Sequence, residues 1–185
     1  MATRGRIGIK QKDGTIITAY SHWDNYLAGT GYNLCEHWTN PKKVIEAIQL
    51  GNASKWGMII GDKTDFDDRN NPIHDIQNVY YGRDRGERDQ GPRTFKNEAE
   101  YLKKGFNSGE EFIYLMKQEG EKEFYSDTEI GTWYYSASTY VDLPGANSGY
   151  KESISDFKPL EEAAIQDHID SLKRYLEMKK ERQAA

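Results

Sequence analysis

A single cysteine, Cys35, occurs in the 185 residues, so no disulfide can form within the chain. That fits a reducing, cytosolic setting. There are only five prolines, and no apolar run approaches the length needed to cross a bilayer. Residues 1–6 lack the apolar segment of a secretory signal, so neither export nor membrane insertion is expected. A basic excess is missing as well. Lys and Arg total 25 against 30 Asp and Glu, a net charge of −5. General nucleic-acid binding requires a concentrated cationic surface and is not expected. The acidic excess is in turn too thin for a mimic of DNA. What the chain does have is aromatic rings: 13 Tyr, 6 Phe and 4 Trp, in a composition 36% hydrophobic and 30% charged. Disordered chains are poor in such rings, so a folded domain is expected.

Ile7 and Ile9 share one face of an opening strand, and Asp13-Gly14 is a strong hairpin signal before the β-branched run from Thr15 to Tyr20. Gly31, Leu34, Cys35 and Trp38 recur at helical spacing. Asn40-Pro41 reads as a cap and first helical residue, with Val44, Ala47 and Ile48 as the buried stripe behind it and Gly51 as the stop. Trp56 to Ile60 fits either a strand or a helix end. Asp62 to Gln77 reads as an exposed polar loop, Val79 to Tyr81 as a brief strand, and Gly82 to Pro92 as the loop beyond it. Asn97 and Glu100 form a capping pattern for a helix ending at Gly105. Phe112 to Lys117 alternates and, with a turn at Glu119-Gly120, predicts a second hairpin returning through Phe124-Tyr125; Thr132 to Tyr135 adds a further strand. Residues 143–158 read as a Gly/Ser-rich linker. From Pro159 a long helix runs to about Arg182, with Leu160, Ala164, Ile165, Ile169, Leu172 and Leu176 as one stripe and Asp170 paired with Arg174. That stripe closes the core or forms a seam between copies. The expected fold is α+β: a small antiparallel sheet from two hairpins packed with short helices over residues 1–142, a linker at 143–158, and a C-terminal helix over 159–185.

Two stretches concentrate polar chemistry. In Tyr20-Ser21-His22-Trp23-Asp24-Asn25-Tyr26, an indole or phenol can stack on a planar ligand while His22 and Asp24 hydrogen-bond to it. The structural alternative makes Trp23 core and Asp24 a turn cap. In Tyr81-Gly82-Arg83-Asp84-Arg85-Gly86-Glu87, the two guanidinium groups lie two residues apart and on an extended segment would project together, suited to phosphate or carboxylate. The alternative is a surface network satisfied by Asp84, Glu87 and Asp89. Residues 81–87 are not a Walker loop, since they lack its Gly-Lys-Ser/Thr ending. Asp65, Asp67 and Asp68 fail the EF-hand pattern, and the four histidines show no paired ligand spacing, although His22, Asp24 and His74 can still converge in space. Cys35 sits on an apolar helix face and there is no Gly-x-Ser-x-Gly elbow, so no catalytic set and no cofactor is assigned.

The stretch Tyr20-x-His22-Trp23-Asp24-x-Tyr26, followed by Gly29-x-Gly31 and Leu34-x-x-His37-Trp38, resembles a group of small phage and prophage proteins. Their pattern runs roughly Y-x-H-W-D-G-Y-P with a nearby G-x-G-x-x-L. Asn25 stands here in place of Gly and Leu27 in place of Pro. Residues 81–87 are similar to theirs too, and the resemblance covers about residues 6–135. It implies a phage origin but brings no assigned activity. The expected function is a phage accessory protein of the host cytoplasm. It would bind a small anionic, nucleotide-like ligand or a host protein through His22, Trp23, Asp24, Tyr26, Tyr81, Arg83 and Arg85, without turnover. The rivals are a nucleotide hydrolase using His22 and Asp24, and a virion-associated or structural interaction module.

Overall fold

The computed structural model describes residues 2–68, 70–118, 130–142 and 150–184, the side chains of 139–142, 150–153 and 184 apart. The Asp13-Gly14 signal makes the expected hairpin: β1 (Gly5–Lys10) pairs antiparallel with β2 (Ile16–Trp23). Gly14 takes φ +86°, and Asp13 Oδ1 accepts from both the N–H and the hydroxyl of Thr15. A wide π-type turn (Leu27–Gly31) leads into α1 (Tyr32–His37) and then α2 (Pro41–Gln49). Asn40 caps α2 by accepting from Lys42 N and Lys43 N, as its position before Pro41 requires. Next come β3 (Ala53–Lys55), β4 (Val79–Tyr80), α3 (Tyr81–Arg85) and β5 (Arg93–Phe95). They are followed by α4 (Glu98–Asn107), β6 (Phe112–Lys117) and β7 (Thr132–Asp142). The chain closes with β8 (Tyr150–Ile154), β9 (Lys158–Pro159) and α5 (Glu161–Ala184).

The class is the expected α+β, but the sheet is wider than two hairpins and it is mixed. Its order is β4-β3-β2-β1-β6-β7-β8, with β5 on β2 and β9 on β7. β1 with β6 and β2 with β3 are parallel; the other pairs are antiparallel. The return partner of β6 is β7, from Thr132 onward. Phe124 and Tyr125, expected to make that return, lie outside the described residues. Part of the stretch read as a linker belongs to the sheet, since Tyr150–Ile154 pairs with β7 and Lys158–Pro159 with Tyr134 and Tyr135.

Helices cover both sheet faces, and β6 shows it most clearly. Tyr114 and Met116 enter the core built with α1, α2 and the start of α5, beside Trp38, Val44, Ile48 and Leu160. Ile113 and Leu115 face the other way, against Tyr101 and Phe106 of α4. A strand buried on both sides reads as a continuous apolar run, as Phe112 to Met116 does. Gly105 does not end α4, which runs on to Asn107. A Cβ there would stand 2.4 Å from Ile113 Cδ1, so the glycine serves close helix–sheet approach. Trp56 is core, whereas Met58 and Ile59 of the same run are exposed, and Ile59 makes only an isolated bridge to Gln77.

The C-terminal helix departs from its single expected stripe. Leu160 and Ala164 are buried, but Ile165, Ile169, Leu172 and Leu176 are exposed. Asp170 bonds Lys173 and Gln166 in place of the expected Arg174. Among the described residues, no helix is long and apolar enough to cross a membrane.

Candidate functional site

The end of β2 carries His22 and Trp23. Register sets Lys55 of β3 opposite Trp23, and β3 in turn pairs with β4, which runs directly into α3. This edge of the sheet borders a cleft of about 370 Å³ lined by His22, Trp23, Lys55, His74, Tyr81 and Arg85, with Ser54, Phe66, Asp75 and Val79 completing its wall. Trp23 is 41% exposed, which removes the reading of it as core. The imidazole of His22 stands edge-on to it at 4.8 Å. His22 Nδ1 shares a 2.8 Å hydrogen bond with the Tyr20 hydroxyl, the period-two neighbour on the same face of β2. Partial burial, with the Arg4 charge second, holds the His22 pKa below its ordinary 6.5, so the ring is neutral at pH 7.

Across the cleft, Tyr81 packs its ring on Phe66 at 5.2 Å, and burial raises its phenol pKa. Arg85 lies over the Phe66 ring at 4.8 Å, bonds Glu87 at 3.1 Å and approaches Asp67 at 3.7 Å. Lys55 bonds Asp75 at 2.8 Å, and this pairing depresses the exposed Asp75 carboxyl. His74 Nε2 is held 3.2 Å from Thr64 Oγ1. The cleft therefore combines aromatic faces with the basic side chains of Arg85 and Lys55, whose carboxylate partners are exposed or half-exposed and can be exchanged for an incoming anion at small cost.

Of the seven residues expected to bind a ligand, His22, Trp23, Tyr81 and Arg85 line this cleft, and Arg83, Asp24 and Tyr26 do not. Arg83 is displaced because residues 81–85 are helical, not extended. At 100° per residue, positions 83 and 85 diverge where a strand would align them. Arg83 turns inward over the Tyr80 ring. It donates to the carbonyls of Ile60 (3.1 Å), Gly61 (2.7 Å) and Asn78 (2.8 Å), and clasps both oxygens of Asp84. The Asp84 side chain is fully buried and its carboxylate also accepts from Thr64 N (3.0 Å) and Tyr80 N (2.7 Å). This pair fixes the polar loop from Asp62 to Gln77 onto β4, and with it the wall bearing Phe66, His74 and Asp75.

Asp24 and Tyr26 belong to the turn into α1. The Asp24 carbonyl accepts from Thr30 N and Oγ1, and the Tyr26 carbonyl accepts from Gly29 N and Gly31 N. Asn25 between them is fully buried and ties the end of β2 to the N-terminus, donating from Nδ2 to Thr3 O (3.0 Å) and Ser21 O (2.9 Å). His22 and His74 share the cleft without Asp24. Among the described residues no group of three or more His, Cys, Asp or Glu is placed to hold a metal ion. Lys55, Phe66 and Asp75 were not anticipated. Lys55 comes to the site only through the parallel β2–β3 pairing, which leaves no local signal in the sequence.

Fold and site together define an α+β domain with an aromatic, cation-bearing cleft at one sheet edge. In comparison with known proteins, no family model, no curated protein and no solved structure matches the chain.

Proposed function

We propose that the protein binds a small anionic ligand with a planar ring, of the nucleotide class, in the cleft at the end of β2, without turning it over, as a phage accessory protein of the host cytoplasm. The observation that supports this most is the convergence of Trp23 and His22 with Tyr81, Arg85 and Lys55 around about 370 Å³, a size suited to a small molecule. Trp23 stacks on the base. Arg85 and Lys55 hold phosphate oxygens, exchanging Glu87 and Asp75 for them. His22 Nε2, which has no hydrogen-bond partner among the described residues, orients the ring. A hydrolase built on His22 and Asp24 draws no support from this arrangement, because Asp24 does not line the cleft.

Thermal shift against cyclic, linear and ADP-ribose-type nucleotides tests the proposal. A ligand present at a hundred times its Kd adds about 2.7 kcal/mol, a rise of roughly 5–10 °C in Tm for a domain of this size. The rise is expected in the wild type, is lost in Trp23→Ala, and falls to about half or less in Arg85→Ala. No shift with any nucleotide overturns it.

A further inference from the structure

One side of α5 is docked. Ala164 is buried, Asp167 Oδ2 accepts from Ala28 N at 2.8 Å, and His168 stacks on Tyr32 at 4.1 Å. From Leu172 to Gln183 every residue is exposed. Ile165, Ile169, Leu172 and Leu176 are 37 to 55% exposed. On the helical wheel they fall within about 60° of one another, roughly a third of a turn from the docked side. Their spacing of four, three and four residues is that of a coiled-coil seam.

Charges complete a symmetric pattern. Glu161 and Glu162 flank the stripe at its start, and Lys179 and Lys180 flank it at its end. Eighteen residues make five turns, so Glu161 lies on the same side of the stripe as Lys179, and Glu162 on the same side as Lys180. A two-fold axis between positions 170 and 171 maps this face onto itself with opposite charges meeting. Ile165 then meets Leu176 of the second copy, and Ile169 meets Leu172 of the second copy. Glu161 lies by Lys179 of the second copy, and Glu162 by Lys180 of the second copy. A parallel pairing would instead set like charges side by side at both ends. We infer that α5 is the contact between two copies of this chain, paired antiparallel about that axis. The contact is isologous, and the seam is short, so the dimer belongs to the weak, concentration-dependent class.

Sedimentation velocity on the full chain from about 5 to about 500 µM tests this in the range of weak association. The wild type passes from monomer to dimer. Leu172→Asp, at an exposed position, stays monomeric with unchanged helix content by circular dichroism. Lys179→Glu/Lys180→Glu weakens association at least tenfold, and adding Glu161→Lys/Glu162→Lys restores most of it. Spin labels on Arg182→Cys in a Cys35→Ser background stand about 35 Å apart in the antiparallel pair, against under about 20 Å in a parallel one. A chain that stays monomeric throughout, a dimer that survives Leu172→Asp, a charge exchange without recovery, or the short label distance each overturns the inference.

Discussion

Arg83 and Arg85 stand two residues apart, yet the structure gives them opposite work. Replacing Arg83 by alanine leaves the fully buried Asp84 carboxylate without its cation and strips three backbone carbonyls of their donor. Breaking a buried pair by removing one partner ordinarily costs about 3–5 kcal/mol. The Arg83 side chain keeps 16% of its surface in contact with solvent, so water can reach part of the gap and the lower half of that range applies, about 3–4 kcal/mol. For a domain of this length that is a fall of roughly 10 °C in Tm. Arg85→Ala removes exposed pairs with Glu87 and Asp67 and one contact with Phe66, together about 1 kcal/mol or less. Urea and thermal unfolding followed by circular dichroism separate the two. Equal losses for both variants, or a loss below about 1 kcal/mol for Arg83→Ala, would refute the assignment of Arg83 to structure and Arg85 to the cleft.

Other consequences are as direct. Burial, with Glu161 and Glu36 adding to it, pushes the Cys35 thiol up to about 12, so iodoacetamide at pH 8 should alkylate it far more slowly in the folded chain than in urea; equal rates would contradict its burial. Gly105→Ala gains about 1 kcal/mol of helix propensity but forces Ile113 to move, at about 1–3 kcal/mol, so it should lower stability or leave it unchanged; a clear gain would contradict the close helix–sheet approach. The His22 pKa lies below 6.5 in the folded chain, so the unfolded chain binds the proton first. The stabilising contribution of the neutral ring is therefore complete above about pH 7 and is lost as pH falls through 6.5 to the folded value. NMR titration should find that lowered value. Arg4→Ala should raise it only in part, since burial is the larger cause; full restoration would contradict that ranking.

Local chemistry was legible wherever it acts over a few residues. Asp13-Gly14 announced its turn, Asn40-Pro41 its helix, and Asn97 its cap, which accepts from Glu100 N at 2.9 Å. The Glu100 carboxylate bonds Lys96 N, one residue before the cap. Parallel pairing was not legible, because β1 finds β6 across about a hundred residues and no short pattern records that. The site was readable in the same proportion. Trp23 and His22 could be placed from the end of a strand, and Arg85 from its charge. Arg83 misled because two arginines two apart mean one thing on a strand and another on a helical turn, and the five-residue α3 is too short to carry a periodic signal. The apolar stripe of α5 was visible as a stripe, but which part of it meets its own sheet depends on where the helix docks, at Leu160 and Ala164.

Trp38, Trp56 and Trp133 are buried in the core, which leaves Trp23 as the tryptophan a cleft ligand can touch. Titrating the nucleotide panel into the wild type while following tryptophan emission reads the proposed stacking at its source. Saturable quenching is expected, disappearing in Trp23→Phe and requiring at least tenfold more nucleotide in Arg85→Ala. Emission indifferent to every nucleotide, or quenching undiminished in both variants, would contradict stacking on Trp23.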